Sequence, residues 1–306
     1  MSAVEKIAGV NPIVAMPFTP QGDIDQVSFR RLLAHLSGLG VNGLTLFGIA
    51  SEFPKLEDNE RLQLAEIFLA ELAESGVFRA LSVTDHSTEI AVRRARRYQQ
   101  MGADALMLLP PFFLQPSLSA VQTHISAVLE AVTIPVMVQY APGETGFPLT
   151  PAQLASFARR YPHAVFKIEC HPPVDFTREF LQQAPQAHVL NGYAGLYMLQ
   201  MLASGGKGVM PGCSFSEVYV RIYRHWLAGE YPLAAQLHEA LLPYIQRWMQ
   251  HCEYIIQIEK TILQRRGIIA DDYCRKPGWS LTKEDISTID RFISQFGLSN
   301  RTACQH

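Results

Sequence analysis

The feature that most constrains the fold is an alternation of short apolar runs with amphipathic segments, kept up over about 225 residues of the 306. The runs lie at 13–18, 43–47, 80–84, 105–111, 135–140, 164–168, 188–191 and 208–211, and each reads as a strand. They are apolar on both faces, as parallel strands covered by helices must be. The segments between them, at 26–39, 58–75, 87–102, 119–132, 151–161, 175–183, 193–203 and 217–228, carry helical spacing. Phe29, Leu32, Leu33 and Leu36, for instance, form one apolar stripe. Thr150-Pro151 supplies a capping hydroxyl before a proline at the first helical position. Gly40, Gly102 and Gly205 stand where helices end and a left-handed residue is wanted. Eight strand–helix units of this length predict an α/β fold, a (β/α)8 TIM barrel. An open doubly wound sheet would carry a glycine-rich turn after its first strand, and Met16-Pro17-Phe18-Thr19-Pro20 has none. The barrel is expected over 1–228, with 229–306 as a helical extension packed on it: 232–266 with a break, then 283–296.

Bulk properties exclude several classes. A formal charge of −2 offers no attraction to nucleic acid or to an anionic membrane surface. The apolar runs stop well short of a membrane span. Residues 1–10 hold no basic region followed by an apolar core, so no signal peptide is expected. The five cysteines, Cys170, Cys213, Cys252, Cys274 and Cys304, are an odd number without a C-x-x-C pair. That fits a reducing cytoplasm better than a disulfide framework or a zinc knuckle. His86 and His171 lack partners at metal-ligand spacing. Neither a metal nor a cofactor is expected.

In such a barrel the active site forms at the C-terminal ends of the strands. The sixth run, Ala164-Val165-Phe166-Lys167-Ile168-Glu169, places a lysine inside an apolar strand. Burial disfavours the ammonium, and a neutral amine attacks carbonyls to form a Schiff base. The alternative is a structural pair with Glu169, two residues on and therefore on the same strand face. Glu169 would then either move protons at the substrate or merely hold the lysine. Gln139, at the end of the fifth run, cannot titrate but can orient a water or a hydroxyl. Tyr140 and Tyr193 are possible hydroxyl donors, although alternation places Tyr140 opposite Gln139. Backbone N–H groups around Ala50 and Ser51, with the Ser51 hydroxyl, are expected to hold a carboxylate where a loop leads into a helix. Phe113, Gly192 and Met210 stand at the ends of the fourth, seventh and eighth runs and complete the expected substrate contacts.

Taken in order, these residues resemble the dihydrodipicolinate synthase / N-acetylneuraminate lyase family. The likeness runs from about Ile13 to Gly212 and is carried by Pro17-Phe18-Thr19-Pro20, Gly48 to Glu52, Glu60-Arg61, Gly102-Ala103-Asp104-Ala105, Pro110-Pro111-Phe112-Phe113 and Lys167. The resemblance implies a barrel with a C-terminal helical extension, a dimer or tetramer, a small 2-oxo acid as substrate, and Lys167 as the Schiff-base lysine. It also exposes departures. The family's relay tyrosine falls on Gln139, its threonine pair on Ile49 and Ala50, and its interface tyrosine on Phe113. The arginine that binds a second carboxylate falls on Glu144, which would repel a dicarboxylate. The chain is more similar to dehydratases of 2-keto-3-deoxy sugar acids, of the 2-keto-3-deoxyarabonate type. The likeness to them lies at Ser51-Glu52, Ser87-Thr88, Met137-Val138-Gln139, Ala141-Pro142 and Phe166 to Glu169. The expected reaction is dehydration of such an acid. A pyruvate-dependent aldolase and a catalytically silent binder of a small oxo acid are the alternatives.

Overall fold

A computed structural model describes residues 2–298; Cys304 lies outside them. The strands are β1 Gly9–Val10, β2 Gly43–Leu46, β3 Phe78–Ser82, β4 Ala105–Leu108, β5 Val136–Tyr140, β6 Ala164–Ile168, β7 His188–Asn191 and β8 Gly208–Val209. They form one sheet in the order β1-β8-β7-β6-β5-β4-β3-β2, with every neighbouring pair parallel. Two backbone bonds join its ends: Asn42 N–H donates to the Val10 carbonyl (2.9 Å) and Thr45 N–H to that of Pro12 (3.0 Å). The result is the expected TIM barrel, accompanied by C-terminal helices.

The chain divides into two compact units. One unit holds the segment up to Pro12, Asn42–Phe47 and Gly76–Pro211, and so contains the whole sheet. Its helices are α3 Thr88–Gln100, α4 Leu118–Ala131, α5 Pro142–Thr145, α6 Pro151–Arg160, α7 Pro173–Gln183 and α8 Met198–Ala203. The capping box at α6 forms as its sequence requires: Thr150 Oγ1 accepts from Gln153 N–H, and Gln153 Oε1 accepts from Thr150 N–H. The short α5 had no sequence signal of its own beyond a proline. Likewise, the helix expected to begin at 193 opens as a 3₁₀ turn, Tyr193–Gly195, with Ala194 left-handed, and becomes regular only at α8.

The other unit holds Ile13–Val41, Gly48–Ser75 and the chain from Gly212 onward. Its helices are α1 Gln26–Ser37, α2 Asp58–Glu71, α9 Ser216–Leu227, α10 Tyr231–Trp248, α11 Cys252–Arg265 and α12 Lys283–Phe296. The α1 stripe of Phe29, Leu32, Leu33 and Leu36 is fully buried, worth roughly 1.5–3 kcal/mol per side chain. The first strand was expected at 13–18 and is not there. Ile13 makes a single bridge to Gly212. Beyond it the backbone is claimed by other partners: Val14 O accepts the Ser51 hydroxyl, Ala15 N–H donates to Cys213 Sγ, and Pro17 O accepts Asp25 N–H. An apolar run whose polar groups are taken this way cannot also build a ladder.

Glu259 of α11 is a fully buried acid. Its Oε2 accepts Ser214 N–H at 2.8 Å, whereas Oε1 has no partner among the described residues. Gly212 makes the room, since a Cβ there would meet the carboxyl. Burial raises its pKa from 4.5 to about 7, against the opposing hydrogen bonds of Ser214. Between those two values the folded chain binds more protons than the unfolded one, so Glu259 removes stability as pH rises through the window. The shift corresponds to about 3 kcal/mol. Denaturant titrations should show Glu259→Gln gaining up to that amount over the parent chain between pH 4.5 and about pH 8. A difference that does not change with pH would show that Glu259 is not the titrating group.

No helix among the described residues is long and apolar enough to cross a membrane.

Candidate active site

The β6 sequence alternates large apolar residues with the two charges. Phe166 lies edge-on to Phe180 of α7, ring centroids 5.0 Å apart. Phe166 and Ile168 therefore face the helical layer, and Val165, Lys167 and Glu169 face the opposite way, into the barrel. Both charged side chains are buried, and Lys167 Nζ stands 3.2 Å from Glu169 Oε1. Strand β5 pairs in register with β6, Gln139 beside Lys167 and Tyr140 beside Ile168. Gln139 thus shares the Lys167 face, and its Nε2 donates to Glu169 Oε2 at 2.5 Å.

A third donor comes from the end of β7. Tyr193 N–H donates to Glu169 Oε1 at 3.0 Å. To aim that group, Tyr193 and Ala194 both adopt left-handed backbone, φ 46° and 49°. Such conformations in residues other than glycine cost on the order of 1–2 kcal/mol each, and they gather where a site demands a particular shape. Gly192 is the other half of this corner: a Cβ there would collide with the Glu169 side chain. Gly192→Ala should displace Glu169, lower stability by about 1–3 kcal/mol and lower turnover. Unchanged thermal unfolding and turnover would show that the corner yields.

The geometry sorts the other expected residues. Tyr140 points away from Gln139, stacked on Phe176 (4.9 Å), its hydroxyl donating to Leu149 O at 2.7 Å. Burial pushes that phenol up to about 12. Met210 is buried just past β8, and its N–H donates to Asn191 O. Phe113 is exposed and its ring lies near His86. Glu144, on α5, has an exposed surface overall. Its pKa is nevertheless raised, by burial around the carboxyl and next by the Glu169 charge, while Lys167 pulls it down. The Glu144 position was legible as a departure from a family pattern. The Tyr193 amide was invisible, because a backbone donor leaves no mark on residue type. Among the described residues no group of three His, Cys, Asp or Glu side chains could hold a metal ion.

In the other unit, Ala50 and Ser51 lie on a 3₁₀ turn, Ile49–Ser51. Ser51 is buried and both its donors are taken, N–H by Gly48 O (2.9 Å) and hydroxyl by Val14 O (2.5 Å). The N–H groups of Ile49 and Ala50 open the turn and have no acceptor among the described residues. The Ser51 hydroxyl, expected to hold a carboxylate, thus donates within the fold and holds the turn.

The fold is a TIM barrel that buries a lysine–carboxylate pair, Lys167 and Glu169, at the end of its sixth strand. The chain belongs to the dihydrodipicolinate synthetase family, whose model matches residues 6–296. It is 29% identical, over 90% of both chains, to L-2-keto-3-deoxyarabonate dehydratase of Azospirillum brasilense. It is 26% identical to the probable 2-dehydro-3-deoxy-D-pentonate aldolase YjhH of Escherichia coli, over 96% of this chain and 99% of that one. The crystal structure of dihydrodipicolinate synthase from Rhodopseudomonas palustris superimposes with a TM-score of 0.87 at 27% identity, covering 95% of this chain and 98% of that one.

Proposed function

We propose that this lyase joins Lys167 to the 2-oxo carbon of a 2-keto-3-deoxy sugar acid as an imine and then dehydrates the acid. The observation that carries this reading is the arrangement around Glu169: a carboxylate 3.2 Å from the lysine amine and bonded by Gln139, which cannot titrate. Lys167 Nζ attacks C2, and the carbonyl oxygen leaves as water. The protonated imine then draws electrons from C3. Glu169 removes the C3 proton, giving an enamine, and returns a proton to the C4 hydroxyl as it departs as a second water. One water then hydrolyses the imine, restoring the 2-oxo group and freeing Lys167, so the net loss is one water. Gln139 and the Tyr193 amide keep the carboxylate in place through both transfers. Gly192 and Met210 are assigned to the substrate's flanks.

Retro-aldol cleavage differs in one proton. If the base takes it from the C4 hydroxyl instead of C3, the C3–C4 bond breaks and pyruvate and an aldehyde leave. The similarity to the dehydratase, with glutamine in place of a titrating phenol, favours the C3 proton. Incubation with 2-keto-3-deoxy pentonates followed by mass analysis decides the matter. A product retaining every carbon and lighter by one water supports dehydration. Pyruvate plus a shorter aldehyde overturns it in favour of aldol chemistry, and an unchanged substrate favours a binding protein. The exposed apolar pair Phe113 and Leu114 is assigned to contact with a second copy of the chain. The free thiols Cys170, Cys213, Cys252 and Cys274 suit a reducing cytoplasm.

A further inference from the structure

Glu169 follows β6 directly, and the chain reaches His171 two residues later. The His171 ring is exposed and lies flat against Tyr193, centroids 4.7 Å apart and planes 17° apart. Tyr197 meets the edge of the same imidazole at 5.8 Å, its hydroxyl 3.5 Å from Nδ1. One side chain therefore touches the tyrosines on both sides of Ala194 and Gly195. The turn needs such support. Tyr193, Ala194 and Gly195 have φ of 46°, 49° and 74°, and only the third is a glycine. Two side-chain-bearing residues in succession stay left-handed only when their surroundings impose it. Backbone bonds secure the ends: Gly192 N–H donates to Ile168 O (3.1 Å) and Leu196 N–H to Tyr193 O (3.0 Å). The Tyr193 side chain secures the middle. Its hydroxyl lies over Gly143 of α5, 3.4 Å from where a Cβ would stand, and the His171 imidazole covers its ring. The N–H of the same residue donates to Glu169 Oε1 at 3.0 Å. Relaxation of the turn would rotate the Tyr193 peptide and withdraw that N–H from the carboxylate.

We infer that His171 is a positioning residue for proton transfer: stacked on Tyr193, it holds the left-handed turn in the shape that keeps the Tyr193 N–H on Glu169 and Glu169 aimed at C3 of an imine on Lys167. His171 touches no reacting atom and acts through Tyr193. The inference rests on the reading of Glu169 as the base at C3. Imine formation belongs to the Lys167 amine, so loss of the stack should slow C3 proton transfer and spare the imine. Pyruvate isolates that step, because its imine exchanges methyl protons with solvent whenever a base removes and returns one.

The test makes two measurements on pyruvate. Borohydride trapping at Lys167, read by intact mass over a range of pyruvate, reports the imine. Deuterium entry into the methyl group in heavy water, read by NMR, reports C3 proton transfer. His171→Ala should slow deuterium entry about tenfold to 100-fold, as a misplaced catalytic group does. It should leave half-saturation of trapping within about twofold, the spread of a substitution that does not couple to the amine. His171→Phe restores a flat ring and should keep exchange within about threefold of the parent chain. Tyr193→Ala keeps the backbone N–H, removes the other half of the stack, and gives the same split if His171→Ala does not fold. Exchange unchanged in folded His171→Ala overturns the inference. So does an equal loss of exchange and trapping, which would mark the stack as general scaffolding, and so does a folded His171→Phe as slow as His171→Ala. A parent chain that traps pyruvate but exchanges none of its methyl protons overturns the base reading of Glu169 itself, and the inference with it, before any substitution is made.

Discussion

Lys167→Ala should abolish the borohydride-reducible adduct with pyruvate and lower turnover of a 2-keto-3-deoxy acid by about 10⁴-fold or more, the scale on which a covalent nucleophile is lost. Among the described residues, the other groups that donate to Glu169 cannot replace it: Gln139 donates an amide and Tyr193 a backbone N–H. The substitution also leaves Glu169 buried without its cation, so the variant should lose stability as well, by about 3–5 kcal/mol for a broken buried pair. Intact-mass trapping, with circular dichroism to establish folding, separates the two effects. An adduct that survives in a folded Lys167→Ala chain would place the nucleophile elsewhere and end the Schiff-base reading.

Glu169→Gln carries the second-largest expected effect and tests a different step. The amide keeps the volume and an oxygen for Tyr193 N–H, but it cannot accept a proton. Turnover should fall about 10²–10⁴-fold, the usual worth of a general base, while the pyruvate adduct still forms at Lys167. That split distinguishes proton transfer from an ion pair that merely seats the lysine. If Glu169→Gln abolishes trapping and turnover together in a folded chain, Glu169 serves the amine alone and another group moves the C3 proton. Glu144 is the first place to look, because its carboxyl interacts with both Lys167 and Glu169.

Much of the barrel was legible because two periodicities are written into residue order. Strands at 164–168 and 188–191 end where their apolar runs end, since buried parallel strands leave no polar face to blur the boundary. The expected strand at 13–18 failed for the opposite reason. It had the composition of a strand, but Ser51, Cys213 and Asp25, distant in sequence or on a turn, took its backbone groups. Apolar content predicts burial; ladder formation needs a neighbour in register. The same limit governs Ser51. Its hydroxyl read as a ligand donor, but the fold brings the Val14 carbonyl to it.

By itself the sequence determined the class of fold, the strand that carries Lys167, and the shared face of Lys167 and Glu169, because all three follow from spacing along one element. Tertiary structure alone decided what surrounds them. The Tyr193 amide reaches Glu169 through a strained turn, Gly192 vacates the space the carboxylate fills, and Lys260 meets Glu52 from 208 residues away. These contacts join separate elements, and a buried charge or a left-handed residue survives only when several such partners hold it at once. No single stretch of residues encodes that condition.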